Sequence, residues 1–169
     1  ITEELGIAAP SLYHHFANRA ELIRAAYVEW YWQCLRIDGA TPELAAVAET
    51  QEQYEATLRA SMMWSYQASR HEARSVRMAV LGAAQKDPLL ASEINSVNRN
   101  FLHSVAQTVT YGQKKGWVRP DIGPLALAYW AHGQIIGRVV AEMDNEIVNF
   151  AEWDKISIDA MLGVIRKRT

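Results

Sequence analysis

The chain has 169 residues, half of them apolar, with 6 Trp, 7 Tyr and a formal net charge of −2. This length suits one ordinary domain, or a small domain joined to a larger one, and the apolar content excludes a disordered chain. The single cysteine, Cys34, excludes an internal disulfide framework and a cysteine-based zinc site, and it predicts a cytoplasmic location. Because no apolar run is long enough to span a bilayer and no signal-peptide pattern opens the chain, we expect no membrane partner.

The first predicted element is a short helical hairpin. Residues 1–5 are expected to end a helix that begins upstream, because the chain opens inside a helical pattern. Gly6 permits a tight turn, and Pro10 lies in the first turn of a second helix over about 9–16, where no N–H donor is needed. A helix this short must be held by packing and leaves its polar face exposed. The pattern predicts a helix-turn-helix.

Helical periodicity continues through the rest of the chain and predicts an all-α fold. Asn18 is a favourable N-cap for a helix that runs to about Asp38. Its apolar face is expected to contain Ile23, Tyr27, Trp30, Cys34 and Ile37. Five further helices are predicted over about 41–69 with a possible break, 71–85, 88–115, 125–143 and 151–167.

A resemblance to a known family becomes specific in residues 1–26, which read ITEELGIAAPSLYHHFANRAELIRAA. This segment resembles the DNA-binding signature of TetR-family transcription regulators. The matching features are Leu5-Gly6-Ile7, Ser11-Leu12-Tyr13, His15-Phe16, Arg19 and Leu22. Residues 116–137, GWVRPDIGPLALAYWAHGQIIG, are similar to the family's run into its two C-terminal helices. The resemblance implies a helix-turn-helix domain, with its upstream helix missing here, followed by an α-helical regulatory domain.

The same resemblance implies that the second helix of the hairpin enters the major groove of double-stranded operator DNA. The implied DNA-binding residues are Ala9, Pro10, Ser11, Tyr13, His14 and Arg19. Hydroxyl groups and a helix N-terminus suit phosphate oxygens, whereas Ala9 and Pro10 suit a thymine methyl group. His15 and Phe16 are implied to pack the motif together. Because residues 1–38 carry more acidic than basic side chains, an upstream helix is expected to supply positive charge.

Two domains are expected from the resemblance: residues 1–38 for DNA binding with the connecting helix, and 39–169 for ligand binding and dimerisation. An unknown small-molecule effector is expected to bind among the helices of the second domain, where Met and aromatic side chains are frequent. The predicted lining consists of Met63, Trp64, Gln67, Met78, His103, Gln107, Tyr111 and Trp130. The alternative for each of them is ordinary core packing, since Met and Trp at helical spacing are common in cores.

The last two helices are predicted to form the interface of a homodimer. Gly133 and Gly137 are four residues apart and leave a flat surface that another helix can approach closely. The predicted interface residues are Gly133, Gly137, Ala141, Ile158, Met161, Leu162 and Ile165. Two such helices from each of two chains would make a four-helix bundle with two-fold symmetry. Packing within one chain is the alternative.

Signs of catalysis are weak in the sequence. No two histidines have the three- or four-residue spacing of metal ligands on a helix, and no glycine-rich phosphate loop is present. We therefore predict no metal, no cofactor and no enzymatic activity. The predicted function is a ligand-responsive DNA-binding transcription regulator, a repressor that a small molecule releases from its operator. The alternatives are a helical dimerisation or ligand-sequestering protein that has lost DNA binding, and an α-helical enzyme.

Overall fold

The computed structural model describes residues 14–36 and 45–166. These residues form six α-helices and one short 3-10 helix, with no β-strand among them, which confirms the predicted all-α fold. In chain order the helices are α1 (Arg19–Arg36), α2 (Gln51–Tyr66), the 3-10 helix (Ala68–Arg70), α3 (His71–Ala84), α4 (Pro88–Lys114), α5 (Pro124–Glu142) and α6 (Phe150–Ile165). The possible break predicted within 41–69 lies just before α2.

Side-chain caps explain where several of these helices begin. The Asn18 Oδ1 atom accepts a hydrogen bond of 3.0 Å from the backbone N–H of Glu21, as expected for the N-cap of α1. Thr50 closes the start of α2 in a reciprocal capping box. Asp87 caps α4 through two backbone N–H groups, and Pro88 occupies the first turn. The sequence therefore determines these boundaries locally.

Helix α4 is the longest of the six, and it contributes to three buried apolar clusters, of which the smallest joins Leu102 and Ala106 to Ala128 of α5. One of the two larger clusters joins α1, α3 and α4 around Tyr31, Val80 and Ile94. The other joins α2, α4, α5 and α6 around Leu58 and Ile165. Helix α4 therefore packs against α1 and α3 in one of the two larger clusters and against α2, α5 and α6 in the other.

The apolar face predicted for α1 is partly wrong. Tyr31, Cys34 and Leu35 are the buried side chains of this helix, whereas Ile23 and Trp30 are 40% and 46% exposed. The helix is rich in large apolar residues all round, so two neighbouring faces fit a spacing of three and four residues equally well. The remaining residue of the predicted face, at position 37, lies outside the described residues.

A cluster of buried charges connects α3, α5 and α6. Arg74 is fully buried and forms an ion pair with Glu142. Glu142 also accepts from His71 Nδ1 at 3.0 Å and lies 3.4 Å from Arg138, whose Nε is 2.6 Å from Asp154. Burial raises the pKa of Glu142, but the hydrogen bonds from Arg74 and His71 outweigh this and hold that pKa below its usual value. These helix ends are therefore held together by charge-assisted hydrogen bonds.

Candidate functional site

The C-terminal part of the predicted DNA-binding face lies within the described residues and is exposed. His14 and Arg19 are both exposed, and Arg19 is the first residue of α1. His15 is also exposed and meets the His14 ring edge-on, with 5.4 Å between the ring centroids, so the expectation that His15 packs inside the motif is wrong. Phe16 is partly buried. The other predicted DNA contacts, Ala9, Pro10, Ser11 and Tyr13, lie outside the described residues.

A cavity of about 70 Å³ lies between α2, α4, α5 and α6. Its wall is mainly apolar and carries no acidic or basic side chain other than a histidine. The polar lining consists of Ser61, Ser65 and His132, and Met62 and Met161 are among the apolar members. Next to it lies a smaller cavity of about 30 Å³, which shares Met161 and other apolar wall residues with the first. A concave, mainly apolar lining with a few polar groups is typical of small-molecule sites.

His132 is the most unusual group in this cavity. Its side chain is buried, and neither ring nitrogen has a hydrogen-bond partner among the described residues. Burial, together with the nearby positive charge of Arg77, lowers the pKa of His132 to about 3, so the ring is neutral near pH 7. In the smaller cavity, the buried Thr108 hydroxyl likewise lacks a partner among the described residues. Buried polar atoms of this kind are rare in proteins.

The side chains predicted to line a pocket do not line these cavities. Six of them are exposed on the outside of the bundle, so their predicted inward orientation is wrong: Met63, Trp64, Gln67, His103, Gln107 and Trp130. Met78 and Tyr111 are partly buried, and the Tyr111 hydroxyl donates to the Ala48 carbonyl oxygen at 2.7 Å. The error is often a single position, since Met62 rather than Met63 faces the cavity. One residue along a helix rotates the side chain by about 100°.

Sequence reasoning missed His132, although the sequence contains a signal for it. Ala128, His132, Ile135 and Val139 follow one another at steps of four, three and four residues, which places the histidine on a helix face that is otherwise apolar. Arg70, Arg74 and Arg77 show the same spacing and are also buried. A polar residue on a helix face that is otherwise apolar therefore indicates a buried polar group.

The two glycines predicted at a dimer interface do lie on an open surface. A side chain added at Gly133 or Gly137 would meet no atom within 4 Å, and the neighbouring Trp130 and Val140 are 37% and 64% exposed. The other predicted interface residues are buried within the single chain: Ala141, Ile158, Met161, Leu162 and Ile165. On α6 the exposed apolar side chains are instead those of Ile156 and Val164.

In the part of the chain that the structure describes, no helix is both long and apolar enough to cross a membrane. Within the same residues, no three His, Cys, Asp or Glu side chains are grouped so that they could hold a metal ion.

Comparison with known proteins found one similarity in sequence and one in fold. A family model described as "Bacterial regulatory proteins, tetR family" matches residues 1–26. The fold is similar to that of a candidate TetR-family transcriptional regulator from Mesorhizobium loti MAFF303099, with a TM-score of 0.69 and 16% sequence identity. That similarity covers 98% of this chain and 84% of the other. Residues 1–26 therefore match the sequence model of the TetR family, and the fold is similar to that of a TetR-family regulator.

A comparison with curated proteins found no match. The TetR-family signature and the TetR-family fold are therefore two separate lines of support, one from residues 1–26 and one from the path of almost the whole chain. Together they support a relationship to the TetR family of regulators.

Proposed function

We propose that this protein is a homodimeric repressor that binds operator DNA through residues 1–38 and releases it when a small molecule binds within residues 39–169. The observation that carries the proposal is the TetR-family signature at residues 1–26, which runs directly into α1. His14 and Arg19 are exposed at that junction and suit contacts to phosphate oxygens or base edges. The proposed function combines a reading head, by which we mean the DNA-binding helix-turn-helix, with the packed helices that follow it.

Helix α4 supplies a route from a ligand to the DNA. Its residue Asn98 accepts a buried hydrogen bond of 2.8 Å from Tyr31 of α1. Leu102 and Val105 lie about one and two turns further along the same helix, and both line the cavity. A ligand that shifts α4 would therefore change the position of α1 and of the reading head attached to it. A coupling of about 1–3 kcal/mol changes DNA affinity by about 5–150-fold.

The open surface around Gly133 and Gly137 is the proposed dimer interface. Exposed apolar side chains flank the glycines on α5, and α6 contributes Ile156 and Val164 together with the open Gly163. Small residues let two helices approach closely, and the exposed apolar groups gain by leaving water. Two-fold pairing would place two reading heads on half-sites about one helical turn apart, or a multiple of that distance.

Selection of bound sequences from random double-stranded DNA tests this function directly. We expect recovery of a palindromic sequence, because a two-fold dimer presents the same reading head to each half-site. Recovery of no preferred sequence would instead favour a ligand-sequestering or dimerisation protein that has lost DNA binding. The oligomeric state is measured in parallel by sedimentation, so that a monomer is not mistaken for a protein without a DNA-binding surface.

A further inference from the structure

We infer that the ligand of the cavity between α2, α4, α5 and α6 is a small uncharged molecule, with an apolar body and a hydroxyl or carbonyl group that hydrogen-bonds to His132. This inference rests on the proposed function for its regulatory meaning, but the binding itself can be measured without DNA. It names the chemical class of the ligand and the residue that selects it.

The apolar side chains that line the cavity indicate that the ligand has an apolar body. Side chains such as Leu58, Phe101 and Met161 form most of the surface, and they gain from contact with apolar atoms but offer no hydrogen bonds. The volume of about 70 Å³ suits a short branched chain, and a small aromatic ring such as benzene requires the cavity to enlarge. Met62 and Met161 border this space, and their flexible side chains let it enlarge toward the adjoining cavity of about 30 Å³.

The residues that line the cavity also indicate that the ligand is uncharged. No Asp, Glu, Lys or Arg side chain lines either cavity in the part of the chain that the structure describes. An ammonium group would lose its hydration there without gaining an ion pair, and the buried positive charge of Arg77 near His132 would repel it. A carboxylate would also lose its hydration, with no charged side chain in the lining to contact it. A charged effector is therefore strongly disfavoured.

The polar group follows from His132. The side chain is 7% exposed and lines the cavity, yet neither nitrogen is hydrogen-bonded within the described residues. A neutral imidazole has one N–H donor and one acceptor nitrogen, so it can donate to a carbonyl oxygen or accept from a hydroxyl group. A ligand that makes either bond satisfies a buried atom that is otherwise unpaired, which contributes to both affinity and selectivity.

The test compares three small probes on the whole chain without DNA: phenol, toluene and benzoate. Phenol and toluene have nearly the same shape, but only phenol can hydrogen-bond, and benzoate adds a charge. We expect phenol to bind about tenfold more tightly than toluene, the size of one hydrogen bond to a buried group. Benzoate should bind more weakly than either. Binding of benzoate above phenol, or of none of the three at millimolar concentration, would overturn the inference.

His132→Phe is the decisive variant, since it keeps an aromatic ring and removes both nitrogens. It should abolish the preference for phenol over toluene. The matched control is His103→Phe, the same change at an exposed position of α4, which should leave the preference unchanged. An equal preference in His132→Phe and the unmodified chain would show that His132 does not select the ligand.

A measurement on the unmodified chain keeps the test valid if His132→Phe does not fold. At pH 5 His132 stays neutral, because burial and the nearby charge of Arg77 lower its pKa to about 3, and a neutral ring has one protonated and one unprotonated nitrogen. Its ring nitrogens can thus be distinguished by nuclear magnetic resonance. Phenol should shift these signals and toluene should not, and identical shifts with both probes would contradict the inference. Loss of sequence-selective DNA binding alone would overturn the proposed repressor function and leave the ligand class standing.

Discussion

The hydroxyl group of Tyr31 donates a buried hydrogen bond of 2.8 Å to Oδ1 of Asn98. This bond joins α1, in which the match to the family model ends, to α4, across 67 positions of the chain. Both partners are buried, and burial raises the pKa of the Tyr31 hydroxyl, so it stays protonated and remains a donor throughout the ordinary pH range. The contact is therefore a fixed link between α1 and α4.

Tyr31→Phe should weaken this link without changing the shape of the core. Removal of the donor leaves the Asn98 oxygen buried and unpaired, which costs about 1–3 kcal/mol in the free energy of unfolding. Urea denaturation measures the loss. The control is Tyr129→Phe, because Tyr129 is 45% exposed and its hydroxyl can bond to water. Equal stability changes in the two variants would show that the Tyr31 bond contributes no more than a surface hydroxyl.

Gly112→Ala should destabilise the junction of α2 and α4. A Cβ atom at this position would lie 2.6 Å from Val118 Cγ2 and 2.8 Å from Tyr54 Cζ, closer than van der Waals contact allows. Tyr54 is held by a hydrogen bond to the Thr108 carbonyl oxygen, so it cannot move away cheaply. Overpacking of this kind costs about 1–3 kcal/mol and should lower the melting temperature by several degrees.

Gly82→Ala provides the matched control for that variant. This glycine also lies within a helix, but an added Cβ atom would meet nothing within 4 Å. Alanine should therefore raise stability by about 0.5–1 kcal/mol, because it restricts the unfolded chain and favours the helix. Opposite signs for the two substitutions are the expected result. Destabilisation by both would show that the open space at Gly82 is filled in solution.

Gly137→Leu tests the proposed dimer interface. The single chain has room for the larger side chain, so the fold of each subunit should be retained. A second helix approaching this surface does not have that room, and overpacking there should cost about 1–3 kcal/mol. We expect a shift from dimer toward monomer in sedimentation at micromolar concentration, with loss of operator binding. Gly82→Leu, the same change on α3, should leave the dimer intact, and a Gly137→Leu dimer of normal affinity would place the interface elsewhere.

Arg19→Ala should weaken operator binding through loss of one phosphate contact. Release of one counterion fewer should flatten the slope of log affinity against log salt concentration by about one. Fluorescence anisotropy with the selected operator at several salt concentrations measures both quantities. Arg99→Ala is the control, because Arg99 is an exposed arginine on α4, outside the DNA-binding signature. A slope that changes equally in both variants would indicate a general charge effect.

His132 should make the stability of the protein depend on pH. Its pKa is lowered to about 3 in the folded state from an ordinary value of 6.5, so the unfolded chain binds the extra proton between these two pH values. The stability is therefore complete above pH 6.5 and falls by about 1.4 kcal/mol for each pH unit below it, down to about pH 3. Urea denaturation at pH 7.5 and 5.0 measures the fall. His132→Phe should show a smaller loss than His103→Phe, and parallel curves for these two variants would contradict the prediction.

Local patterns in the sequence were sufficient to predict where helices begin. Asn18 and Asp87 cap α1 and α4 as expected, since a cap depends on a side chain and the backbone of the next three residues. The first 26 residues were likewise enough to indicate the family, because that signature is a run of residues and does not depend on distant contacts.

The tertiary structure decided which side of each helix faces the core. Met62 rather than Met63 lines the cavity, and Ile158 and Met161 pack within one chain although they were predicted at its dimer interface. The helices of this protein have large apolar residues on more than one side, so periodicity alone leaves two neighbouring faces open. Only the positions of the other helices choose between them, because a rotation by one residue exchanges a buried side chain for an exposed one. His132 became a candidate ligand contact for the same reason: its burial depends on α2, α4 and α6, which lie far from it in the sequence.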